Sequence, residues 1–264
     1  MESNLITWPR GKYWTDSFNP IIGCRKISPA CENCYAEAFV KRFNMTGCTC
    51  MGGEFEPTRK PACKLPKKGV VFCGNITDLF GSWVTPEEQS KWFDMTWDAY
   101  DKYGHNAFYL WLTKRPGNMA EAIYDNIETI PLDISYFGIT TENQEMYDKR
   151  TEQLFDIKHR LFAKNYWLSC EPLLGPIDLA LDVSPMEFSW VVVGCESGRK
   201  RRHTDIKWVE SIVEQCKAAK VPVFVKQLEI DGKCTSDITK FPTHLQIRQV
   251  PWRIKYICGM HKLV

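Results

Sequence analysis

Residues 107–116 read Ala-Phe-Tyr-Leu-Trp-Leu-Thr-Lys-Arg-Pro, an apolar run that ends abruptly in polar residues. An apolar run without polar alternation is typical of a strand covered on both faces, as in a parallel sheet. The polar residues Thr113, Lys114 and Arg115 come just before or at the start of a short helical pattern over residues 115–127. The stretch therefore predicts one strand–loop–helix unit.

The same unit recurs along the chain. Helical patterns separate most of the apolar runs, and the clearest begins at the capping box Thr85-Pro86-Glu87-Glu88. The predicted strand ends from Gly74 to Lys226 are spaced by 39, 27, 29, 25 and 32 residues, the length of a strand plus a crossover helix. The other predicted strands lie at 20–23, 70–73, 134–139, 166–168, 190–193 and 221–225.

This rhythm implies a parallel barrel, open or closed, or a doubly wound sheet. We predict an α/β fold, a parallel (β/α) partial barrel similar to a TIM barrel, with about six or seven βα units. We place this domain in residues 1–228, with a Cys-, Gly- and Pro-rich insert at 44–68. Residues 229–264 are treated as a C-terminal extension because their periodicity is weak.

The composition is that of an ordinary globular protein, with 44% hydrophobic and 25% charged residues in a chain of 264. A formal net charge of +2 excludes polybasic binding over the whole surface, although it leaves room for a local basic patch. The chain shows no signal-peptide pattern and no run of about 18 apolar residues. We therefore expect a cytoplasmic protein without a membrane partner.

Polar and small residues follow each predicted strand from the second onward. In parallel α/β folds the functional site lies beyond the carboxyl ends of the strands, so these residues predict one polar site ringed by loops. Helix caps and turns use many of the same residue types, but Lys114, Glu171, Glu196 and Lys226 do not fit that explanation.

Twelve cysteines are unusual for a chain of this size, and three of them form the strongest motif, Cys24-x6-Cys31-x2-Cys34. Ser28-Pro29 predicts a helix start that would place Cys31 and Cys34 on one helix face. A helix N-terminus lowers the pKa of a thiol, and Cys24 would reach back from the loop.

Three converging thiolates suit an iron–sulfur cluster with one open iron, or a zinc ion with a fourth ligand. Cys48 or Cys50 would be that fourth ligand, and burial of the three cysteines in the core is the remaining alternative. Disulfides are not expected, because cytosolic thiols stay reduced.

Further motifs make a resemblance specific. Together with the cysteine motif they resemble a phage- and prophage-encoded protein family of unassigned substrate, which is placed with the radical S-adenosylmethionine (radical SAM) enzymes. The cysteine spacing differs from the x3-then-x2 spacing of most such enzymes. In chain order the motifs are Asp16-Ser17-Phe18-Asn19-Pro20, Cys34-Tyr35-Ala36-Glu37, Asn75-Ile76-Thr77-Asp78-Leu79-Phe80, Leu112-Thr113-Lys114-Arg115-Pro116, residues 138–143, Ser169-Cys170-Glu171-Pro172-Leu173-Leu174-Gly175-Pro176, Cys195-Glu196-Ser197-Gly198 and Phe224-Val225-Lys226-Gln227.

The resemblance implies a radical SAM-type enzyme in a phage-infected or prophage-bearing host cell. Cys24, Cys31 and Cys34 would hold a [4Fe–4S] cluster, and the fourth iron would bind the amine and carboxylate of S-adenosylmethionine. An electron from a low-potential donor would cleave the cofactor to a 5′-deoxyadenosyl radical, which abstracts hydrogen from an unidentified substrate.

The resemblance also implies roles for the residues at the strand ends. Asn75 and Asp78 would bind the methionyl amine, whereas Glu142, Ser169 and Glu171 would bind ribose and substrate hydroxyls. The full set of predicted cofactor-binding residues is Tyr35, Asn75, Asp78, Thr140, Glu142 and Ser169, and the predicted catalytic residues are Lys114, Glu171, Glu196 and Lys226.

Two weaker features have simple alternatives. Arg199, Arg201 and Arg202 follow the sixth predicted strand and are candidates to bind a nucleotide or nucleic acid, the alternative being a solvated surface run. A second metal site is the other candidate, with unpaired thiols as its alternative, and it would use Cys48, Cys50, Cys63 and Cys73. The competing function is a zinc- or cluster-stabilised protein that binds nucleic acid or another partner without catalysis.

Overall fold

Parallel strands and helices alternate through most of the protein, whose computed structural model describes residues 11–43, 45, 55–60, 62–158, 165–181 and 188–251. The side chains of residues 155–158 are outside this description. In chain order the elements are β1 (Asp16–Phe18), β2 (Ile21–Ile22), α1 (Tyr35–Arg42), β3 (Thr58–Arg59), β4 (Gly69–Cys73), α2 (Pro86–Tyr103), β5 (Ala107–Thr113), α3 (Pro116–Asp125), β6 (Ser135–Thr140), α4 (Gln144–Lys158), β7 (Tyr166–Cys170), β8 (Phe188–Gly194), α5 (Ile206–Ala218), β9 (Val223–Ile230) and β10 (Lys233–Thr235).

Eight of these strands form one curled sheet in the order β1-β4-β5-β6-β7-β8-β9-β10. Every neighbouring pair is parallel except β9 and β10, which are antiparallel. With helices between most of the strands, the sheet is a half-barrel, and the predicted α/β partial barrel is confirmed. Parallel order matters for function because it brings the carboxyl ends of β4 to β9 to one edge of the sheet.

The first strand of the sheet is not where the sequence predicted it. Residues 20–23 were expected to form it, but β1 occupies Asp16–Phe18 and pairs with β4. Pro20 cannot donate a ladder hydrogen bond, so the chain leaves the sheet there. Ile21–Ile22 instead forms a short antiparallel pair with β3, which lies next to the start of the cysteine-bearing loop.

Helix α2 shows how the sequence pattern becomes packing. Thr85 accepts a hydrogen bond from the backbone of Glu88, and the Glu88 side chain accepts one from the backbone of Thr85, which confirms the predicted capping box. The helix then buries Trp92, Phe93, Thr96 and Ala99 at helical spacing against the sheet. The Phe93 ring meets the Trp111 ring of β5 with centroids 5.1 Å apart.

An aromatic cluster around Tyr13 covers three neighbouring strands of the sheet. The Tyr13 ring contacts Trp190 of β8 at 5.1 Å, Phe224 of β9 at 5.5 Å and Trp167 of β7 at 6.0 Å between centroids. Gly138 of β6 makes room for this packing, because a Cβ there would lie 2.3 Å from the Trp167 ring. The core therefore rests on large side chains contributed by the strands themselves.

The predicted boundary at residue 228 falls inside β9. Strand β10 extends the sheet, and the backbone of Ile247 and Gln249 forms hydrogen bonds with Val225 and Val223 on β9. The predicted C-terminal extension therefore packs on the half-barrel, as far as residue 251. None of the helices in the described ranges is both long and apolar enough to span a membrane.

Candidate functional site

A cavity lies at the carboxyl ends of the strands and has about 1020 Å³ of space, counting the part open to solvent. The loops after β4, β5, β7 and β8 contribute to its wall, together with Thr140 at the end of β6 and Lys226 within β9. The sequence-predicted residues that line it are Cys24, Cys31, Cys34, Tyr35, Asn75, Asp78, Lys114, Thr140, Ser169, Glu171, Glu196 and Lys226. The polar residues at the strand ends do meet around one space, whereas Glu142 lies behind the wall, fully buried.

The cysteine loop, defined here as residues 23–34, covers one side of this cavity. Gly23 begins it with φ of +97°, and a Cβ at this position would lie 2.2 Å from the Glu56 carbonyl oxygen. The loop then carries Cys24, a single 3-10 turn over Pro29–Cys31, and Cys34. All three cysteines are partly exposed and line the cavity.

The predicted helix start is correct, but the predicted helix face is not. Ser28 is the N-cap residue and Pro29 occupies the first turn, yet the 3-10 turn ends at Cys31. Cys34 is instead the N-cap residue of the separate helix α1. Cys31 and Cys34 therefore belong to different elements, because the 3-10 turn ends at Cys31 and does not reach Cys34.

The electrostatic surroundings of Cys24 and Cys31 are opposite. Burial raises the pKa of Cys31, but the Lys114 ammonium and hydrogen bonds from Ile27 and Ser28 outweigh it, so that pKa is lowered from 9.0. Burial and the Asp78 carboxylate raise the pKa of Cys24 to about 12, against the opposing effect of Arg115 and Lys114. Cys31 is thus the thiol better prepared for loss of its proton.

Among the described residues, no group of three or more His, Cys, Asp or Glu side chains is arranged to hold a metal ion. A single zinc ion needs its thiolates about 2.3 Å from the metal, all converging on one point. A [4Fe–4S] cluster is larger, and each of its cysteines binds a different iron. Three thiols on one cavity wall are the number and type of ligand that a [4Fe–4S] cluster with one open iron uses.

Both carboxylate oxygens of Asp78 accept hydrogen bonds from other groups of the protein. One oxygen accepts hydrogen bonds from the Thr113 hydroxyl (2.7 Å) and the Phe80 N–H (3.0 Å). The other oxygen accepts from the Lys114 N–H (3.2 Å) and pairs with the Arg115 guanidinium at 2.8 Å. The predicted role in binding a methionyl amine does not suit this arrangement, since both oxygens already have two donors.

Glu142 and Glu196 are also paired with arginines. Glu142 forms an ion pair with Arg150 at 2.6 Å and does not reach the cavity, so the predicted contact with ribose is not made from this position. Glu196 binds the Arg202 guanidinium and the Asn33 side chain (3.0 Å). Burial raises the pKa of Glu196, but the hydrogen bonds from Arg202 and Asn33 outweigh it and keep that pKa below its usual value.

Lys114 and the Glu171–Lys226 pair remain on the cavity wall as charged groups. In the described part of the chain, the Lys114 ammonium has no hydrogen-bond or ion-pair partner. Lys226 pairs with Glu171 at 2.5 Å and lies 5.6 Å from the centroid of the Trp14 ring. The cavity therefore offers a cation near the cysteines and a separate acid–base pair beside an aromatic wall.

The remaining predicted cofactor-binding residues are placed as follows. The Tyr35 hydroxyl donates to the Asn75 carbonyl oxygen, and the Asn75 side-chain oxygen accepts from Asn19 at 2.7 Å. The hydroxyls of Thr140 and Ser169 have no hydrogen-bond partner among the described residues, although both residues line the cavity. These two hydroxyls are free to bind a ligand.

The arginines after β8 do not form a shared exposed patch. Arg202 is committed to Glu196, Glu32 and the Pro29 carbonyl, and Arg201 donates to the carbonyls of Gly198 and Gly232. Only Arg199 of the three predicted nucleic-acid contacts is exposed without such partners in the described structure.

Half of the predicted second metal site, Cys48 and Cys50, lies outside the described residues. The other half is Cys63, partly buried against the core, and Cys73 at the end of β4. Burial, together with the nearby Cys63, raises the pKa of Cys73.

Sequence reasoning missed several residues that build the site. Tyr13 and Trp14 line the cavity but precede β1 without any periodic pattern. The sequence does not single out Arg150, and it points to Arg202 only as a nucleic-acid contact, although both guanidinium groups bind carboxylates next to the cavity. Arg115 is the supporting arginine that the sequence could have indicated, because it directly follows Lys114 at a strand end.

Fold and site together define a parallel α/β half-barrel that carries a three-cysteine loop over the carboxyl ends of its strands. The family model described as "Protein of unknown function (DUF5131)" matches residues 11–243, and the chain belongs to this family. Neither a curated protein nor a solved structure matches the chain.

Proposed function

We propose that the protein is a radical SAM-type enzyme that binds a [4Fe–4S] cluster through Cys24, Cys31 and Cys34. The observation that carries this proposal is the shared cavity, whose wall contains all three thiols and the polar ends of β4 to β9. When bound, the cluster and S-adenosylmethionine supply reductive cleavage of the sulfonium and abstraction of a hydrogen atom from the substrate.

The residues of the chain divide the cavity into two parts in this proposal. Lys114 lies close enough to lower the pKa of Cys31, and its free ammonium binds a carboxylate beside the cluster. The free hydroxyls of Thr140 and Ser169 bind ribose or other hydroxyl groups. Asn75 is held in place by Asn19 and Tyr35 and presents its side-chain amide to the cofactor.

The substrate would bind beside Glu171 and Lys226. This pair offers a proton donor and a proton acceptor within one contact, next to the apolar faces of Trp14 and Phe72. A substrate with adjacent donor and acceptor groups matches that arrangement, and a nucleotide or nucleic acid is one such class.

The test is purification without oxygen, followed by measurement of iron, sulfide and zinc. We expect a brown protein with about four iron atoms per chain, which releases 5′-deoxyadenosine when it is reduced with S-adenosylmethionine present. Cys31→Ala should lose both the cluster and this product. Cys216→Ala is the matched control, because it removes a thiol buried in α5 and should keep both.

Colourless, zinc-replete protein that does not cleave the cofactor after reconstitution would contradict the proposal. That result would favour the competing function, in which metal only stabilises a binding protein. Activity that survives in Cys31→Ala without a cluster would contradict the assigned ligands.

A further inference from the structure

Three buried carboxylates surround the cysteine loop from alternate strands of the half-barrel. Asp78 follows β4, Glu142 follows β6 and Glu196 follows β8, and each pairs with an arginine. Each of these pairs also reaches the cysteine loop, either through the carboxylate or through the arginine.

The Asp78–Arg115 pair holds the start of the loop. While one guanidinium nitrogen of Arg115 binds Asp78 at 2.8 Å, the other donates to the Arg25 carbonyl oxygen at 2.9 Å. Arg25 directly follows Cys24, so the contact fixes the backbone beside the first cysteine. Arg115 is itself packed over the Trp83 ring, 4.8 Å from its centroid.

The Glu142–Arg150 pair holds the 3-10 turn from below. One Glu142 oxygen accepts a hydrogen bond from the Ala30 N–H at 3.3 Å, and the other binds Arg150. Arg150 also donates to the Thr140 carbonyl oxygen at 2.7 Å, which anchors it at the end of β6. The contact therefore fixes the residue immediately before Cys31.

The Glu196–Arg202 pair makes the largest number of contacts with the loop. Arg202 donates to the Pro29 carbonyl oxygen at 2.9 Å and to the Glu32 carboxylate at 3.0 Å. Asn33 donates to Glu196 at 3.0 Å and to the Lys200 carbonyl oxygen at 2.9 Å. These contacts lie on both sides of Cys31 and reach the residue before Cys34.

We infer that these three pairs are positioning residues that hold the cysteine loop in its observed shape before any cofactor arrives, and that Glu196–Arg202 makes the largest contribution. Charge-assisted hydrogen bonds to backbone carbonyls and amides are among the strongest available to a loop. Contacts that order the loop beforehand reduce the conformational entropy that a cofactor must remove when it binds. The part of this inference that concerns the cluster rests on the proposed function.

The first test uses metal-free protein and hydrogen–deuterium exchange of the peptides that cover residues 25–34. We expect Arg202→Gln to speed exchange in these peptides by about tenfold, because it releases Pro29, Glu32 and Glu196 together. Lys41→Gln is the matched control, since it removes one charge from an exposed ion pair with Glu37 and should change exchange less than about twofold. Unchanged exchange in Arg202→Gln would overturn the inference.

The second test uses cluster-loaded protein. We expect Arg202→Gln to release iron to a chelator about tenfold faster than wild type and to shift the reduction potential of the cluster. Arg202→Lys should restore this only in part, because a lysine cannot bind Glu196 and Pro29 as a planar fork. A potential and an iron-release rate equal to wild type in Arg202→Gln would limit the pair to a purely structural role.

A second variant keeps the inference testable, and the exchange measurement does not depend on the cluster. If Arg202→Gln does not fold, Asn33→Ala removes a single side chain that binds Glu196, and it should speed exchange in the same peptides. A wild-type chain that takes up no cluster would refute the proposed function. The exchange result would still test whether Glu196–Arg202 holds the cysteine loop, because it is measured on metal-free protein.

Discussion

Glu142 and Arg150 form an ion pair that is almost completely withdrawn from solvent, with 0% and 3% of the two side chains exposed. Burial alone raises the pKa of Glu142. The positive charges of Arg150 and Lys114 and a hydrogen bond from Ser28 outweigh it, so the pKa stays below 4.5 and the group is charged. A buried charge of this kind depends on its partner, because removal of one member leaves the other without compensation.

We expect Arg150→Met to lower the free energy of unfolding by about 3–5 kcal/mol. Replacing both residues, as Arg150→Met with Glu142→Leu, should recover most of this loss, since no unpaired charge is left behind. Urea unfolding at neutral pH measures both values. Lys41→Met breaks an exposed pair and is the control, for which we expect less than about 0.5 kcal/mol. An equal loss in Arg150→Met and Lys41→Met would contradict the role of burial.

At the scale of single residues, the sequence predicted the carboxylates but not their partners. Asp78, Glu142 and Glu196 were recognisable because they follow strands, where charged residues gather around a site. That pattern cannot distinguish a carboxylate that faces a ligand from one that binds an arginine. Arg150 lies on α4 and Arg202 lies in a loop, and only the fold brings their guanidinium groups to these strand ends.

Among the elements, helix α2 has the best-defined start, and Glu88 contributes to it in two ways. Its carboxylate accepts the Thr85 N–H at 3.0 Å and pairs with the Arg59 side chain of β3 at 2.7 Å. The hydrogen bonds from Arg59 are the main reason that the pKa of Glu88 lies below 4.5. Since the pKa is lowered in the folded state, the stabilisation is present above pH 4.5 and is lost as the pH falls through the folded-state value.

We expect Glu88→Gln to lower the free energy of unfolding by about 1 kcal/mol at about pH 7. The difference from wild type should shrink at an acidic pH below the folded-state pKa of Glu88, where the wild-type carboxyl is also protonated. Urea unfolding at the two pH values measures it, with Glu214→Gln on the exposed face of α5 as the control. A difference that does not change with pH would show that the charge of Glu88 is not what stabilises the helix start.

Elements with a repeating pattern were predictable, whereas elements defined by contact with the rest of the chain were not. Strands β4 to β9 are recognisable in the sequence as apolar runs, and α2 is recognisable by its capping box. Strand β1, with the sequence Asp-Ser-Phe, has no such run and exists because its backbone pairs with β4. The cysteine loop is likewise defined by contacts with the rest of the chain, because residues after β6 and after β8 bind its backbone at Ala30 and Pro29.

On the scale of the whole molecule, the fold and the cysteine loop depend on different interactions. The aromatic cluster and the strands of the sheet bury the great majority of the large side chains in the described ranges. Among the described residues, the cysteine side of the cavity has a small apolar cluster of its own, made by Ile22, Ala36, Val40 and Ile76. The half-barrel therefore has a sufficient core without any bound metal.

If the protein binds the proposed cluster, removal of that cluster should consequently leave the protein folded. We expect anaerobic chelation to leave the far-ultraviolet circular dichroism unchanged and to lower the melting temperature by less than about 10 °C, as for the loss of a ligand that binds a preformed site. Cys31→Ala should melt at the temperature of the chelated wild type, because both lack the same group. Structural zinc behaves differently, since small zinc domains unfold when the metal is removed. Cooperative unfolding on chelation would therefore contradict both a preformed loop and a core that is independent of metal.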